Sequence, residues 1–475
     1  MASHENLVGP VGLDCQTLDE LIESYLLDPY SLDDFFTYNV DNQRTQLYVQ
    51  INRHESSANL SFSSNGSSVT QHDSLSDTNN SIQNNLSLKE ATEIIIHRKN
   101  LKEMLVACAK ALSFNDLSTF DRLMSESRKM VSVRGDPIRR LGAYMLEALI
   151  ARLALSGSSI YKSLKCKEPK SSDLLSYMHL LYEACPYFKF GYLSANGAIA
   201  EAMRDEPQIH IIDFQIAQGA QWAPLIQALA GRPGGPPRVR ITGIDDPVSS
   251  HARGGGLEIV GRRLSGLAKS CGLSLEFCGV SVPGCEIETG HLEVRAEEAV
   301  AVNFTLVLHH MADENVGQAR NNQRDRLLRM VRRLSPKVKV VTLVEQELDT
   351  SGAPFVARFV ETLDYYLAVF ESMDVALPRE DKERVNVEQH CLARDIVNII
   401  ACEGVERVER HEVLDKWRLR FSMAGFRQLP LSPLVNATIK GLLESYNEGY
   451  TLRESDGCLY LGWRNRDLVA SCAWV

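Results

Sequence analysis

The segment Ile209-His210-Ile211-Ile212-Asp213-Phe214-Gln215-Ile216-Ala217-Gln218-Gly219-Ala220-Gln221-Trp222 puts an acid at the end of an apolar run, just ahead of a helix-forming stretch. A D-x-G-x-G-x-G loop uses that spacing to cradle an adenosyl group, because glycines let backbone N–H groups close on the ligand at a helix N-terminus. Here Gln215 and Ala217 stand at two of the three glycine positions, and only Gly219 remains. Side chains at those positions fill ligand space, and left-handed backbone is easily reached only by glycine. The expectation is a cradle that has been lost, with no cofactor bound.

The later apolar runs end at Asp245-Asp246, His309-His310 and Glu345. Asp245 falls where a ribose-binding acid would stand, but Asp213 and Asp245 read more simply as caps of the helix or loop that follows. His309-His310 could act as base or ligand, and closing a buried strand the pair reads as structural. Arg253-Gly254-Gly255-Gly256 precedes a helix without the Lys-Ser/Thr of a P-loop, and no Ser-His-Asp or Cys-His arrangement is evident. Cys271, Cys278 and Cys285 are evenly spaced, yet neither a C-x-x-C pair nor a matching His pattern accompanies them. Neither catalytic residues nor a metal are expected.

These strand ends need a sheet. After Pro207, candidate strands Ile209–Asp213, Val239–Ile244, Leu273–Phe277, Ala299–Leu308 and Lys337–Val344 alternate with helices around Ala220–Ala230, Leu257–Cys271 and Asn322–Leu334. Near-continuous apolar strands of this kind predict a mostly parallel sheet covered on both faces. Tyr450–Val475 predicts an antiparallel addition, with breaks at Gly457 and Gly462. Apolar residues at helical spacing predict helices in Ile94–Leu112, Leu117–Met130, Ile138–Leu155, from Leu174 to Pro186 and in Gly191–Met203. Two further long helices, Phe355–Phe370 and Val387–Cys402, are placed to pack back on that group. The leucine stripes could form a dimer seam, but ordinary core-facing stripes explain them better, since none sustains three or four heptads.

The expected fold class is therefore α/β: a Rossmann-like, methyltransferase-like, mostly parallel sheet with an α-helical cap and a disordered N-terminal arm. Residues 1–88 hold 12 acids and two bases, and the rest of the chain is formally neutral. Such neutrality gives no overall field to attract nucleic acid, although a local patch such as Arg324–Arg333 leaves direct DNA contact open. Within the arm, Asp14–Asp41 carries eight acids and no base among aromatics and leucines. That composition suits either a partner-binding segment or a solvated tail. Residues 52–87 contain 18 Asn or Ser among 36 positions, the composition of a disordered linker. The 11 dispersed cysteines, the lack of a signal segment and the lack of a bilayer-length apolar run predict a soluble intracellular protein.

Ile209–Asp213 resembles the V-H-I-I-D signature of the plant-specific GRAS family of transcriptional regulators, with Ile for the first Val. Pro354-Phe355, Arg358-Phe359 and Glu361 resemble its P-F-Y-R-E region, although Val356-Ala357 replaces the aromatic centre. Arg407-Val408-Glu409-Arg410 matches R-V-E-R, and Trp463 with Ser471-Cys472-Ala473-Trp474 resembles the S-A-W region with one insertion. Tyr144–Arg152 and Leu181–Tyr192 resemble the scarecrow-like branch associated with phytochrome A signal transduction.

The resemblance covers about residues 89–475. It implies a cap mainly in 89–205, with helices of about 355–410, and an α/β core over about 206–475. It also implies a regulator of light, hormone or stress responses in the nucleus, with the cytoplasm as a second location. Expected partners are DNA-binding transcription factors, other GRAS proteins or a second copy of the chain, with no membrane. His210 and Asp213 would anchor the first strand, Arg407, Glu409 and Arg410 would form ion pairs, and Trp463 and Trp474 would pack the C-terminal edge. Arg358 and Glu361, one turn apart, would each contact another element, since pairing with one another contributes only about 0.2–0.5 kcal/mol. Leu101, Leu105 and Leu112 are the expected partner-binding surface. Two readings compete with an adaptor: a methyltransferase or small-ligand protein using the cleft beside Asp213, Gly219 and Asp245, and direct DNA binding by a dimer.

Overall fold

Nine strands make one sheet in the order β3-β2-β1-β4-β5-β9-β8-β7, with the two-residue β6 paired to β9. The strands are β1 Gln208–Asp213, β2 Arg238–Ile244, β3 Ser274–Val280, β4 Ala299–Thr305, β5 Val338–Gln346, β6 Gln428–Leu429, β7 Tyr450–Ser455, β8 Cys458–Trp463 and β9 Arg466–Trp474. In the computed structural model the described residues are 90, 92–154, 171–246, 256–314, 322–334 and 336–475. Those from 95 onward fall in one compact unit, and they alone are considered below. The acidic segment, the Asn/Ser linker and Arg253-Gly254-Gly255 lie outside the described residues.

β1 to β5 pair in parallel, and β9 joins β5 antiparallel, followed by β8 and β7. β4 is buried at all seven positions, as expected of a strand covered on both faces. The C-terminal addition is thus three strands deep, and only β7 lies at its outer end. Strand order reverses between β1 and β4, the place where open α/β sheets bind ligands at their carboxyl ends.

The helices are α1 Leu101–Ser113, α2 Leu117–Arg128, α3 Pro137–Leu153, α4 Ser171–Ala184, α5 Tyr187–Ala202, α6 Trp222–Ala230, α7 Leu257–Ser270, α8 Gln323–Arg333, α9 Phe355–Ala376, α10 Lys382–Val387, α11 Ala393–Ala401, α12 Leu414–Met423 and α13 Pro433–Leu443. Side-chain caps set several starts: Asn100, Asp116 and Asp136 each accept from a backbone N–H in the first turn of α1, α2 and α3. The helix expected over Ile94–Leu112 is broken in two: left-handed Lys99 ends a helical stretch that runs through 98, and the Asn100 cap starts α1 at Leu101. α1, α3, α9 and α11 pack on one another. α5 instead lies on the sheet, where a Cβ at Gly191 would stand 2.8 Å from Val344 Cγ1.

The helix expected over Val387–Cys402 is interrupted. Glu388–Leu392 forms a π-helical turn between α10 and α11. Ion pairs converge on it: fully buried Glu388 receives Arg140 Nε at 2.9 Å and Arg384 Nη1 at 2.5 Å. Arg140 also reaches Asp374 Oδ1 at 2.6 Å, so α3, α9 and the π turn are bound through one guanidinium.

Candidate functional site

Two sites share the carboxyl edge of the sheet. At the end of β1, Asp213 Oδ1 accepts the backbone N–H of Gln215 and Asn303 Nδ2, each at 3.1 Å, and Oδ2 accepts the Trp222 indole N–H at 2.8 Å. The bond to Gln215 makes Asp213 a cap of the loop, as expected. The indole bond was not foreseen. Trp222 is fully buried and occupies the first turn of α6, the position from which an anion-binding loop presents its N–H groups. Asn303 extends the network: its Oδ1 accepts from Thr342 Oγ1 at 2.8 Å and Thr305 Oγ1 at 3.1 Å, while its amide meets that of Gln221. Asn196 of α5 donates to the Gln221 carbonyl at 2.6 Å. Burial pushes the Asp213 carboxyl up to about 6, against the three hydrogen bonds that favour its anion.

The loop keeps a cradle's backbone without its space. Ala217 is left-handed at φ 44°, like Gly219 at φ 75°, although it is not glycine. The left-handed backbone is therefore kept at Ala217 without glycine, contrary to expectation, and it is Trp222 that takes the Asp213 acceptor. The Ile216 side chain lies on β2, where a Cβ at Gly243 would stand 2.9 Å from its Cγ1. What remains beside Ala217 and Gln218 is an apolar hollow of about 70 Å³, well below the roughly 300–1,000 Å³ of small-molecule sites.

At the ends of β4 and β5 the picture is the opposite. A cavity of about 610 Å³ opens there, lined by Leu306, His309, His310, Gln346, Tyr366 and Glu409 among others, and it extends to Gln215 of the loop after β1. β4 stops at Thr305, so His309-His310 sit in a 3-10 turn after the strand rather than closing it. Left-handed Leu306, at φ 52°, starts that change of direction. Glu345 then gathers the turn: its Oε1 accepts the N–H groups of Val307 at 3.1 Å and Leu308 at 2.7 Å, and its Oε2 meets His309 Nδ1 at 2.6 Å. The π turn supplies the opposite wall with His390, Cys391 and Leu392.

The motif residues distribute as follows. His210 Nε2 lies 2.7 Å from Thr242 Oγ1, and Arg240 Nη2 is 2.9 Å from its Nδ1. Burial, then the adjacent Arg240, lowers the imidazole to about 3, so His210 is neutral and Nδ1 accepts from the guanidinium. Arg240 in turn grips Glu298 with two bonds, of 2.7 and 2.6 Å. Pro354 caps α9, and Phe355 lies under the Arg152 guanidinium, 3.8 Å from the ring centroid. Arg358 bonds the Ile399 carbonyl at 2.9 Å and pairs with Glu403, while Glu361 pairs with Arg466 of β9. Trp463 packs on Tyr450 and Trp474 stacks on Phe421 at 4.8 Å.

Arg407, Glu409 and Arg410 each form ion pairs, with partners outside the motif, His411 beside it among them, and Arg407 reaches Glu403 at 3.9 Å. Arg407 donates to the Thr350 carbonyl at 2.6 Å and Arg410 reaches Asp313 Oδ1 at 3.1 Å. Glu409 points into the cavity, where it meets His309, His310 and His411. The leucine surface, by contrast, is corrected. Leu101 and Leu105 are core residues, and Leu112 packs partly buried against the same core. An amphipathic stripe shows that a face is covered and does not say by what; here α3 and α9 cover it. The apolar side chains that do face outward near α1 are Phe114 and Leu117.

The fold and the two strand-end sites define a Rossmann-like protein whose first strand-end acid is hydrogen-bonded to its own Trp222. Comparison with known proteins then gives the family. Residues 101–475 match the GRAS domain family, and the chain belongs to it. It is 65% identical over 380 residues to the scarecrow-like transcription factor PAT1 of Arabidopsis thaliana, covering 80% of this chain and 77% of that protein. It is 64% identical over 398 residues to chitin-inducible gibberellin-responsive protein 2 of Oryza sativa subsp. japonica, covering 83% and 72%. The crystal structure of SCL7 in Oryza sativa superposes with a TM-score of 0.70 at 35% identity, over 79% of this chain and 99% of that one. The chain is a plant transcriptional regulator, with its work in the nucleus and carried out through protein interactions. No described helix is long and apolar enough to cross a membrane.

Proposed function

We propose that this regulator is not an enzyme and that it acts by docking on DNA-binding transcription factors in light, hormone or stress signalling. The carrying observation is the Asp213–Trp222 hydrogen bond, which spends the acid and the helix start that an adenosyl group would need on the protein's own side chain. The names of the relatives support the signalling context: one is chitin-inducible and gibberellin-responsive, another a scarecrow-like transcription factor. In this reading residues 1–88 are an acidic, Asn/Ser-rich arm and 89–475 the regulator domain. Its cap comprises about 89–205 with the helices of about 355–410.

The test is a mobility-shift titration of the full chain against duplex DNA alone and against duplex carrying a bound transcription factor. Retention only with the factor is expected. Binding of bare duplex that weakens steeply with salt, and that is lost on changing clustered arginines of α8, would replace docking by direct DNA contact.

A further inference from the structure

We propose that His309, His310 and Glu409 bind a divalent transition-metal ion of the zinc class at the floor of the strand-end cavity. The ligand atoms of these three residues lie within 4.8 Å of one another. His309 Nε2 is 3.5 Å from Glu409 Oε2, and His310 Nε2 is 3.4 Å from Glu409 Oε1. Both separations exceed the 2.7–3.2 Å of ordinary N–H···O bonds. Each ring nitrogen faces a different oxygen of the carboxylate, a spacing that leaves room for an ion with bonds of about 2.1 Å between the three groups. Two imidazoles and a carboxylate with a fourth position open to a cavity form the donor set of catalytic zinc sites, and the 610 Å³ space supplies both the open position and the way in.

The surroundings are built for ligation. Glu345 Oε2 accepts a hydrogen bond from His309 Nδ1–H at 2.6 Å, which leaves the lone pair on Nε2, the atom facing Glu409. Glu409 itself is fixed by its backbone: its N–H and that of Val408 donate to Asn398 Oδ1 at 3.0 and 2.9 Å, and the next residue, Arg410, is tied to Asp313. An independent observation points to a missing ligand. His411 is 1% exposed, stacks on His309 at 4.4 Å, and lies with Nε2 3.6 Å from Glu409 Oε2, yet Nε2 has no hydrogen-bond partner among the described residues. A ring nitrogen orphaned beside a carboxylate is what a water on the metal would satisfy. No zinc pattern stands in the chain because the donors come from two segments 99 positions apart, not from one short motif.

The test uses the full chain, stripped with a chelator and titrated with Co²⁺, followed by displacement with Zn²⁺. The expected result is one Co²⁺ per chain with visible d–d absorption, displaced by Zn²⁺, and a thermal midpoint that rises with Zn²⁺. Glu409→Gln and His310→Ala should each weaken binding more than tenfold; His310 is partly exposed, so its variant is the one expected to stay folded. Glu345→Gln should weaken it about 10- to 100-fold by releasing His309. Simultaneous Cys271, Cys278 and Cys285→Ser should leave binding unchanged. Absence of a visible band and of any Zn²⁺-dependent midpoint shift in the unmodified chain would overturn the proposal. So would equal binding by a folded His310→Ala variant.

Discussion

The ends of β1 and β4 are neighbours in one sheet, and both carry conspicuous acids and their hydrogen-bond partners. At β1 every donor meets an acceptor: Trp222, Asn303 and the Gln215 N–H converge on Asp213. Beside β4 and β5 the polar groups border an open cavity, and the His411 Nε2 and Tyr366 hydroxyl are buried without partners among the described residues. A satisfied polar network is a solved folding problem, whereas orphaned polar atoms around a cavity mark a site that folding alone does not explain. The difference separates the start of α6, occupied by Trp222, from the cavity that opens beside it and that Gln215 also lines.

The strongest way to break that contrast is Trp222→Ala. Loss of a fully buried indole should cost about 3–5 kcal/mol by denaturant unfolding, and it strips Asp213 of one donor. Asp213→Asn should cost less, about 1–3 kcal/mol, because an amide turns an acceptor into a donor facing Trp222 or Asn303. Its pH dependence sharpens the point. The folded Asp213 carboxyl titrates near 6 against an ordinary value of about 3.9. Its raised pKa gives stability that is complete below the ordinary value and lost as pH rises through 6. The wild-type advantage over Asp213→Asn should therefore shrink between pH 4 and pH 7 in parallel chemical melts.

Ala217→Gly should stabilise the fold by about 0.5–1 kcal/mol, since relief of left-handed strain outweighs the added chain entropy. A loss of stability would mean that the Ala217 methyl matters more to the small hollow than the strain does. On the open side, Tyr366→Phe should be the smallest change, within about 0.5 kcal/mol, because it removes a hydroxyl with no partner to lose. A cost above that would place an unseen partner in the cavity.

Much of this arrangement was legible in the chain. Apolar runs located β1 to β5 within a few residues, and Gln215 and Ala217 marked the loop after β1 as unlike a glycine-rich cradle. Trp222 was harder to foresee: it looked like an ordinary helix start, and its role depends on Asn303 in a distant strand. A polar Asn303 inside the apolar run Ala299–Thr305 was the available signal. The π turn was invisible, and one of the ion pairs that converge on it comes from Arg140, 248 positions from Glu388. The leucine stripe of α1 was correctly periodic and wrongly assigned, since periodicity does not name the neighbour. Glu409 lay inside a matched motif, but nothing local shows that it turns away from Arg407 and Arg410 towards the histidines.

At the end of β1, where this fold class binds an adenosyl ligand, Trp222 occupies the acid and the helix start. The most direct measurement is calorimetric titration of the full chain with S-adenosylmethionine, beside a Gln215→Gly, Ala217→Gly variant. No heat of binding by the unmodified chain is the predicted result. Micromolar, one-to-one binding that is lost on changing Asp213 would contradict it and return the enzyme reading to first place.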